Sequence, residues 1–206
     1  MAENLLSVIK YLRNQLDTGD LRFAKEADAR RSVVVRILQH LNWDVFNHNE
    51  LSAEYNIDGY KVDYALLLSE VPKVLIEVKK PAVTNLRSHE QQLLEYAFRK
   101  PAPLALLTNC VQWWFYLPHL PDGGWRDRRF CVVDLLDEAP VKVRDQFVNL
   151  LAKERVSSGQ AVEYANRLYE RAKRQEAIHA AMPKAWNKMI SELDENLVEL
   201  LRKRTR

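Results

Sequence analysis

The sequence predicts an α/β domain in which a mixed β-sheet is flanked by helices, followed by a C-terminal helical extension. Three observations indicate this. Helix-patterned stretches open the chain, a block of strand-length apolar runs interrupted by one helix pattern comes next, and only helix patterns follow residue 137. We therefore divide the 206 residues into a sheet-containing domain, 1–136, and a helical extension, 137–206, that serves packing or oligomerisation.

Two helices are predicted before the sheet. The first covers residues 4–16, where apolar side chains recur close to the helical period at Leu5, Ile9, Leu12 and Leu16. The second runs from about residue 23 to 41, with an i, i+3, i+4, i+7 stripe of Val34, Ile37, Leu38 and Leu41. Glu26 and Arg30 lie on an adjoining line of this helix, and an i, i+4 ion pair between them is the simplest interpretation.

Strand patterns then follow. We expect a first strand at 42–46 and a polar connection over 47–59, where Asp58-Gly59 is a strong turn signal. Residues 60–68 and 73–80 are strand-like and are separated by only four residues, which favours an antiparallel hairpin.

The remaining elements are one helix, three strands and the helical extension. Ser88 opens the helix, with Gln91 at capping-box spacing, and the helix continues to about residue 99. Strands are predicted at 104–109, 111–118 and 129–136, and helices at 140–154, 158–182 and 183–204. Pro183 suits the first turn of the last helix.

The last helix carries an apolar stripe at 4-3-4-3 spacing, formed by Trp186, Ile190, Leu193, Leu197 and Leu200. Such a stripe usually packs on its own domain. Dimerisation or docking of a partner is the alternative.

Composition excludes several classes of protein. The net charge of +3 permits nucleic-acid binding without arguing for it. No apolar run reaches the roughly 20 residues of a membrane span, and the N-terminus lacks the pattern of a secretory signal. Cys110 and Cys131 have no metal-ligand spacing and are typical of buried thiols in a reducing cytosol, so we expect a cytoplasmic protein. The histidines form no ligand pair, so zinc is not expected, and no P-loop motif for an ATP-driven motor occurs.

The unusual stretch is the run from Lys73 to Pro81, in which strand alternation puts Glu77 and Lys79 on the face of Leu75. Charges in such a strand are expensive unless they are paired or bound to metal. Asp63, in the neighbouring apolar run, adds a second carboxylate at the same edge.

These groups predict a metal-dependent phosphodiesterase site. Asp63, Glu77 and the carbonyl of Val78 are oxygen ligands suited to a hard divalent cation. Lys79 can hold a phosphate oxygen or orient the attacking water. Gln92 and Tyr96, one helical turn apart, can position the substrate backbone or a metal-bound water. An ion-paired sheet face, with Lys79 satisfying Glu77, is the structural alternative.

The pattern D-x13-E-x-K followed by Q-x3-Y resembles the PD-(D/E)xK nuclease superfamily. More narrowly, it is similar to the N-terminal nuclease domain of type I restriction enzyme R (HsdR) subunits and their stand-alone relatives. The supporting stretches fall within about residues 20–136 and are E-A-D-A-R-R, L-N-W-D-V, Y-K-V-D-Y-A-L, I-E-V-K-K-P, Q-L-L-E-Y and L-L-T-N-C-V-Q-W-W-F-Y. Two positions depart from the family pattern: Val62 stands where proline is usual, and T-N-C replaces T-N-G.

The resemblance implies a restriction-endonuclease-like fold and a DNA endonuclease module without its own ATPase motor. Asp63 and Glu77 would be metal ligands together with the Val78 carbonyl, Lys79 the catalytic lysine, and Glu26 the acidic residue of the first core helix. Gln92 and Tyr96 would match the Q-x3-Y element.

The resemblance also implies a cofactor and partners. The cofactor would be Mg²⁺, or Mn²⁺ in its place. Double-stranded DNA would be the substrate, and other restriction-complex subunits would be partners. The C-terminal helices lie outside the resemblance, and their apolar stripe would contact such subunits or a second copy of the chain. A non-catalytic DNA-binding or assembly module of the same fold is the alternative.

Overall fold

The computed structural model describes residues 2–100, 102–121 and 124–191. Contacts divide the chain into two compact units, Met1–Leu168 and Tyr169–Arg206. The predicted boundary at residue 136 concerns the extent of the nuclease-like domain and stays a prediction. The sheet and the candidate site described below lie in the first unit.

A six-stranded mixed sheet forms the centre of the first unit, as the sequence predicts. Its strands follow one another in chain order: β1 (Leu51–Ile57), β2 (Tyr60–Leu68), β3 (Val71–Val78), β4 (Leu104–Thr108), β5 (Gln112–Tyr116) and β6 (Arg129–Asp134). All neighbours are antiparallel except β3 and β4, which are parallel. A parallel pair needs a crossover connection. Helix α4 (Arg87–Arg99) lies in that connection.

Helices precede and follow the sheet. Before it come α1 (Ala2–Asp17), α2 (Glu26–Ala29), a π-helical turn (Arg30–Val35) and α3 (Arg36–His40). After it come α5 (Pro140–Leu151), α6 (Lys153–Ser157) and α7 (Gln160–Ser191). The predicted second helix therefore exists but contains a π-helical turn, a feature that is rare and often marks a functional site. No helix of the described residues combines the length and apolar character needed to cross a bilayer.

The two faces of the sheet are covered by different helices. Trp113 and Trp114 are adjacent in β5, so their side chains point to opposite faces. Trp113 packs on Phe147 of α5, with 4.8 Å between ring centroids. Trp114 belongs to the buried cluster that contains Leu93 and Ala97 of α4. Helix α1 packs against α3 and α5. The sheet is therefore enclosed between α4 and the layer that contains α5.

The strand predicted at 42–46 is wrong. Residues 43–46 form no strand, because Trp43 is buried and its indole N–H donates to the Leu151 carbonyl at 2.7 Å. Asn42 has a positive φ of 70°, and the Asp44 carboxylate accepts the Phe46 N–H. The first strand is β1, in the stretch predicted to be a polar connection. Its polar composition suits its place at the edge of the sheet.

Two smaller predictions also fail. The capping box at the start of α4 is absent because Ser88 lies inside the helix, where its hydroxyl donates to the Asn85 carbonyl. The Asn85 side chain instead accepts the Arg87 N–H. Pro183 lies inside the continuous helix α7 rather than in a first turn. Proline removes one helical hydrogen bond, but the surrounding A-A-M-P-K-A segment is rich in alanine, the strongest helix former.

Most of the predicted stripe on the last helix lies outside the described residues. Trp186 is described and is 60% exposed. The side chains of Ile190, Leu193, Leu197 and Leu200 lie outside the described part of the chain.

Candidate active site

Asp63 of β2 and Glu77 of β3 stand side by side. The strands are in register at Tyr64 opposite Ile76, so the next position along places Asp63 against Glu77. The Val78 N–H donates to Asp63 Oδ2 at 2.7 Å and holds the carboxylate at the strand end. The side chains of Asp63 and Glu77 are only 15% and 8% exposed. The structure thus brings together the two carboxylates that the sequence predicts as metal ligands.

Glu77 has one paired oxygen and one orphaned oxygen. Lys79 Nζ donates to Glu77 Oε1 at 2.7 Å, whereas Glu77 Oε2 is buried and has no hydrogen-bond partner of normal geometry among the described residues. Burial raises the pKa of Glu77 and the charge of Asp63 raises it further, whereas the hydrogen bond and charge of Lys79 and the backbone N–H of Asp63 oppose the shift. A buried carboxylate oxygen without a partner is costly and calls for an explanation such as an unseen ion.

Lys79 is held as a cation. Burial alone would lower its pKa, but the hydrogen bond to Glu77 and the charges of Glu77, Glu26 and Asp63 outweigh burial, and the pKa is raised. Lys79 therefore suits the contact of a negatively charged oxygen better than the removal of a proton.

Arg30 is a member of the site that sequence reasoning missed. It is the first residue of the π-helical turn, and its Nη1 donates to Asp63 Oδ1 at 2.5 Å. The simplest interpretation of the sequence, an ion pair with Glu26, is therefore wrong, because the true partner lies 33 residues away in another element. In the sequence, Arg30 stands out only as a basic residue next to Arg31 at the end of the E-A-D-A-R-R stretch.

Glu26 and His89 lie at the rim of this cluster. Glu26 is half-buried at the start of α2, and its negative charge contributes to raising the pKa of Lys79. The pKa of His89 is lowered, chiefly by burial and then by the charge of Lys79, while Glu26 opposes the shift. Both residues are therefore within electrostatic reach of Lys79. Sequence reasoning gave His89 no role, because a histidine in the first turn of a helix carries no distinctive spacing.

Gln92 and Tyr96 pair with each other on α4. Gln92 Nε2 donates to the Tyr96 hydroxyl at 2.6 Å. Tyr96 is buried and packs against the Tyr60 ring, with 5.5 Å between centroids. In the described part of the chain, no hydrogen bond or ion pair connects this pair to Asp63, Glu77 or Lys79. The predicted role of the pair stays a prediction.

The donor set fits a hard divalent cation. Two adjacent carboxylates, one of them with an orphaned buried oxygen, are the ligands that Mg²⁺ prefers, and the Val78 carbonyl adds a third oxygen at the same strand end. The described residues contain no cluster of three or more histidine, cysteine, aspartate or glutamate side chains suited to a metal. Water would have to complete the coordination, which is usual for Mg²⁺.

Comparison with known proteins finds one family. Residues 57–121 match the family described as type I restriction enzyme R protein N terminus (HSDR_N). The matched segment includes Asp63, Glu77 and Lys79 and also the Gln92–Tyr96 pair. No curated protein and no solved structure matches the chain significantly. The segment that carries the three central site residues therefore matches the type I restriction enzyme R protein N-terminal family, in agreement with the resemblance that the sequence motifs indicate.

Proposed function

We propose that this protein is a metal-dependent phosphodiesterase, a DNA endonuclease module related to type I restriction R subunits. One observation carries the proposal. Asp63, Glu77 and Lys79 converge at the ends of two adjacent strands, and the buried Glu77 Oε2 has no hydrogen-bond partner in the part of the chain that the structure describes. The HSDR_N match over the same residues supports a relation to restriction enzymes.

Each residue has a proposed role. Asp63, Glu77 and the Val78 carbonyl would hold Mg²⁺ or Mn²⁺. Such an ion supplies positive charge to the scissile phosphate and acidifies a bound water. Lys79, held as a cation by its neighbours, contacts a phosphate oxygen or orients the attacking water.

The remaining residues act around this centre. Glu26, at the rim, accepts a hydrogen bond from a water of the site. The Gln92–Tyr96 pair positions the substrate backbone from α4. The substrate is double-stranded DNA in the cytoplasm, and the C-terminal helices contact a second copy or other restriction-complex subunits.

Cleavage of supercoiled plasmid with Mg²⁺, with Mn²⁺ and with chelator tests the proposal. Wild type should nick the plasmid only when a divalent cation is present. Lys79→Ala should lower the rate at least about a hundredfold, the usual scale for losing one charge-stabilising group. Its DNA affinity should change far less than its cleavage rate, because DNA affinity is summed over many phosphate contacts and Lys79 would supply one of them.

Lys80→Ala is the matched control. Lys80 is the next residue and is exposed, so its loss removes the same charge without touching Glu77. Equal nicking by wild type and both variants would refute the assignment of Lys79.

A non-catalytic DNA-binding or assembly module of the same fold is the second candidate. One observation favours it: Arg30 and Lys79 already neutralise Asp63 and Glu77, so the paired cluster is satisfied apart from one oxygen. This alternative predicts DNA binding without cation-dependent nicking, and a dimer or complex formed through residues 140–204. Plasmid nicking with and without Mg²⁺ or Mn²⁺ distinguishes the two functions, because both of them include DNA binding and contacts through the C-terminal helices.

A further inference from the structure

Arg30 occupies the oxygen of Asp63 that accepts no hydrogen bond from the Val78 N–H. Val78 N–H already donates to Asp63 Oδ2, and Arg30 Nη1 donates to Oδ1. Arginine remains protonated at any pH at which the protein is folded. A divalent cation that approaches Asp63 therefore meets a fixed positive charge on the oxygen that has no bond to the backbone.

We propose that Arg30 is the resident counter-ion of Asp63 and that a divalent cation must displace it, so that Arg30 sets the cation affinity of the site. This inference rests on the proposed function, because it assumes that Asp63 ligates the cation. It makes Arg30 a positioning residue that regulates loading of the site.

The surroundings of Arg30 allow this displacement. Its side chain is 23% exposed, so the guanidinium reaches solvent without crossing the core. A second anion lies in range: Arg30 is among the charges that lower the pKa of Glu54, after the dominant hydrogen bond from Lys61. The guanidinium therefore has another carboxylate to approach when it leaves Asp63.

The position of Arg30 in the π-helical turn supports a functional rather than a purely structural role. The turn comprises Arg30–Val35 and separates two α-helical segments. Single π-helical turns inside α-helices recur at functional sites. Here the turn begins at the residue that reaches across to the sheet.

Direct Mn²⁺ binding to the full chain, measured by isothermal titration calorimetry without DNA, tests the inference. Arg30→Met keeps the length of the side chain and removes its charge and donors. We expect it to bind Mn²⁺ about tenfold more tightly than wild type, a change equivalent to about 1.4 kcal/mol.

Arg31→Met is the matched control. Arg31 is the next residue, its side chain is 80% exposed, and it pairs with Asp28 rather than with the site. Its loss changes the net charge equally and should leave the Mn²⁺ dissociation constant within about twofold, because exposed charges are screened. Arg30→Lys keeps a positive charge but loses the planar guanidinium, so its affinity for Mn²⁺ should lie between those of wild type and Arg30→Met. It also provides the test if Arg30→Met does not fold.

Three outcomes decide the matter. Tighter binding by the Arg30 variants alone supports the inference. If wild type binds Mn²⁺ and the Arg30 variants bind it equally or more weakly, the inference is wrong while the proposed metal site stands. If wild type and all folded variants fail to bind Mn²⁺, both the inference and the proposed metal-dependent function are overturned.

Discussion

Glu77 lies in an environment that is unfavourable for a charged carboxylate. It is buried, it faces a second carboxylate, and one of its oxygens has no partner among the described residues. Folding alone gives no reason to keep such a group. Groups whose pKa is shifted by burial and by a charged neighbour concentrate at functional sites.

The pH dependence of the unfolding free energy should reveal the unfavourable burial of the Glu77 carboxylate. Because the folded protein raises the pKa of Glu77 above its ordinary 4.5, the stability that the group contributes is present below that value. It is lost as the pH rises through the raised pKa. In chelator, Glu77→Gln should therefore gain unfolding free energy relative to wild type as the pH increases from about 4 to 7, and urea denaturation measures the difference.

Glu54→Gln provides a control of opposite sign. The hydrogen bond from Lys61 lowers the pKa of the exposed Glu54, so its contribution is present above 4.5 and is lost as the pH falls. This variant should lose stability relative to wild type over the same rise in pH. A difference between Glu77→Gln and wild type that does not grow with pH would contradict the account of Glu77.

At the residue scale, the sequence indicates the central groups but not their partners. Strand alternation and the D-x13-E-x-K spacing predict that Asp63, Glu77 and Lys79 meet. Arg30 could not be assigned, because its helical neighbour Glu26 offered a local partner. The choice of Asp63 depends on how the helix packs on the sheet, which short-range periodicity does not encode.

At the scale of elements, one buried carboxylate of α4 connects this helix to β5 and β6 by hydrogen bonds. Glu90 of α4 accepts hydrogen bonds from the Tyr116 hydroxyl at 2.8 Å and from Arg129 at 3.0 Å. These bonds reach β5 and β6. They fix the helix that carries Gln92 and His89.

Removal of this carboxylate should be costly. Glu90→Ala leaves Arg129 and the Tyr116 hydroxyl without their acceptor, and breaking such a buried pair typically costs about 3 kcal/mol. Glu95→Ala, on the exposed side of the same helix, should cost less than about 0.5 kcal/mol. Chemical denaturation measures the unfolding free energy of the two variants. Equal losses of unfolding free energy would show that Glu90 does not hold α4 against β5 and β6.

The sequence predicts a strand or helix correctly where one face of that element is fully buried. It predicts wrongly where an element is only partly buried. The hairpin of β2 and β3 and the crossover helix follow from clear apolar patterns. The edge strand β1 has a polar sequence and therefore resembles a connection. Residues 42–46 contain large apolar side chains and therefore resemble a strand, but they form a turn in which Trp43 is buried. Apolar content alone does not separate a strand from a turn that buries one large side chain.

At the scale of the whole molecule, the core of the first unit extends beyond residue 136. Phe147 of α5 packs on Trp113, and Ala161 and Ala165 of α7 are fully buried. Described side chains from residue 170 onward are almost all exposed. The helices that follow the sheet therefore complete its packing as far as about residue 168.

Two truncations test this division. A chain ending after residue 168 should fold and melt within a few degrees of the full chain, because it retains the buried core of the first unit. A chain ending after residue 136 should fail to melt cooperatively, because Trp113 and its neighbours lose their covering helix. Circular dichroism melts of both settle the extent of the domain, and cooperative melting of the shorter chain would support the boundary predicted from the sequence.

The site also depends on more than the segment that matches the family. Residues 57–121 supply Asp63, Glu77 and Lys79, whereas Arg30 and Glu26 come from the helix before the sheet. The family motifs therefore predict Asp63, Glu77 and Lys79 as the central residues. They do not predict that Arg30 pairs with Asp63.

The most direct measurement is a crystal structure of the full chain soaked in Mn²⁺, with the ion located by anomalous scattering. We expect Mn²⁺ between Asp63 and Glu77, at about 2.1 Å from a carboxylate oxygen of each. Glu77 Oε2 should be one of the ligands, and the Arg30 guanidinium should have moved away from Asp63. Mn²⁺ bound elsewhere, with the Arg30–Asp63 and Lys79–Glu77 pairs unchanged, would contradict the account.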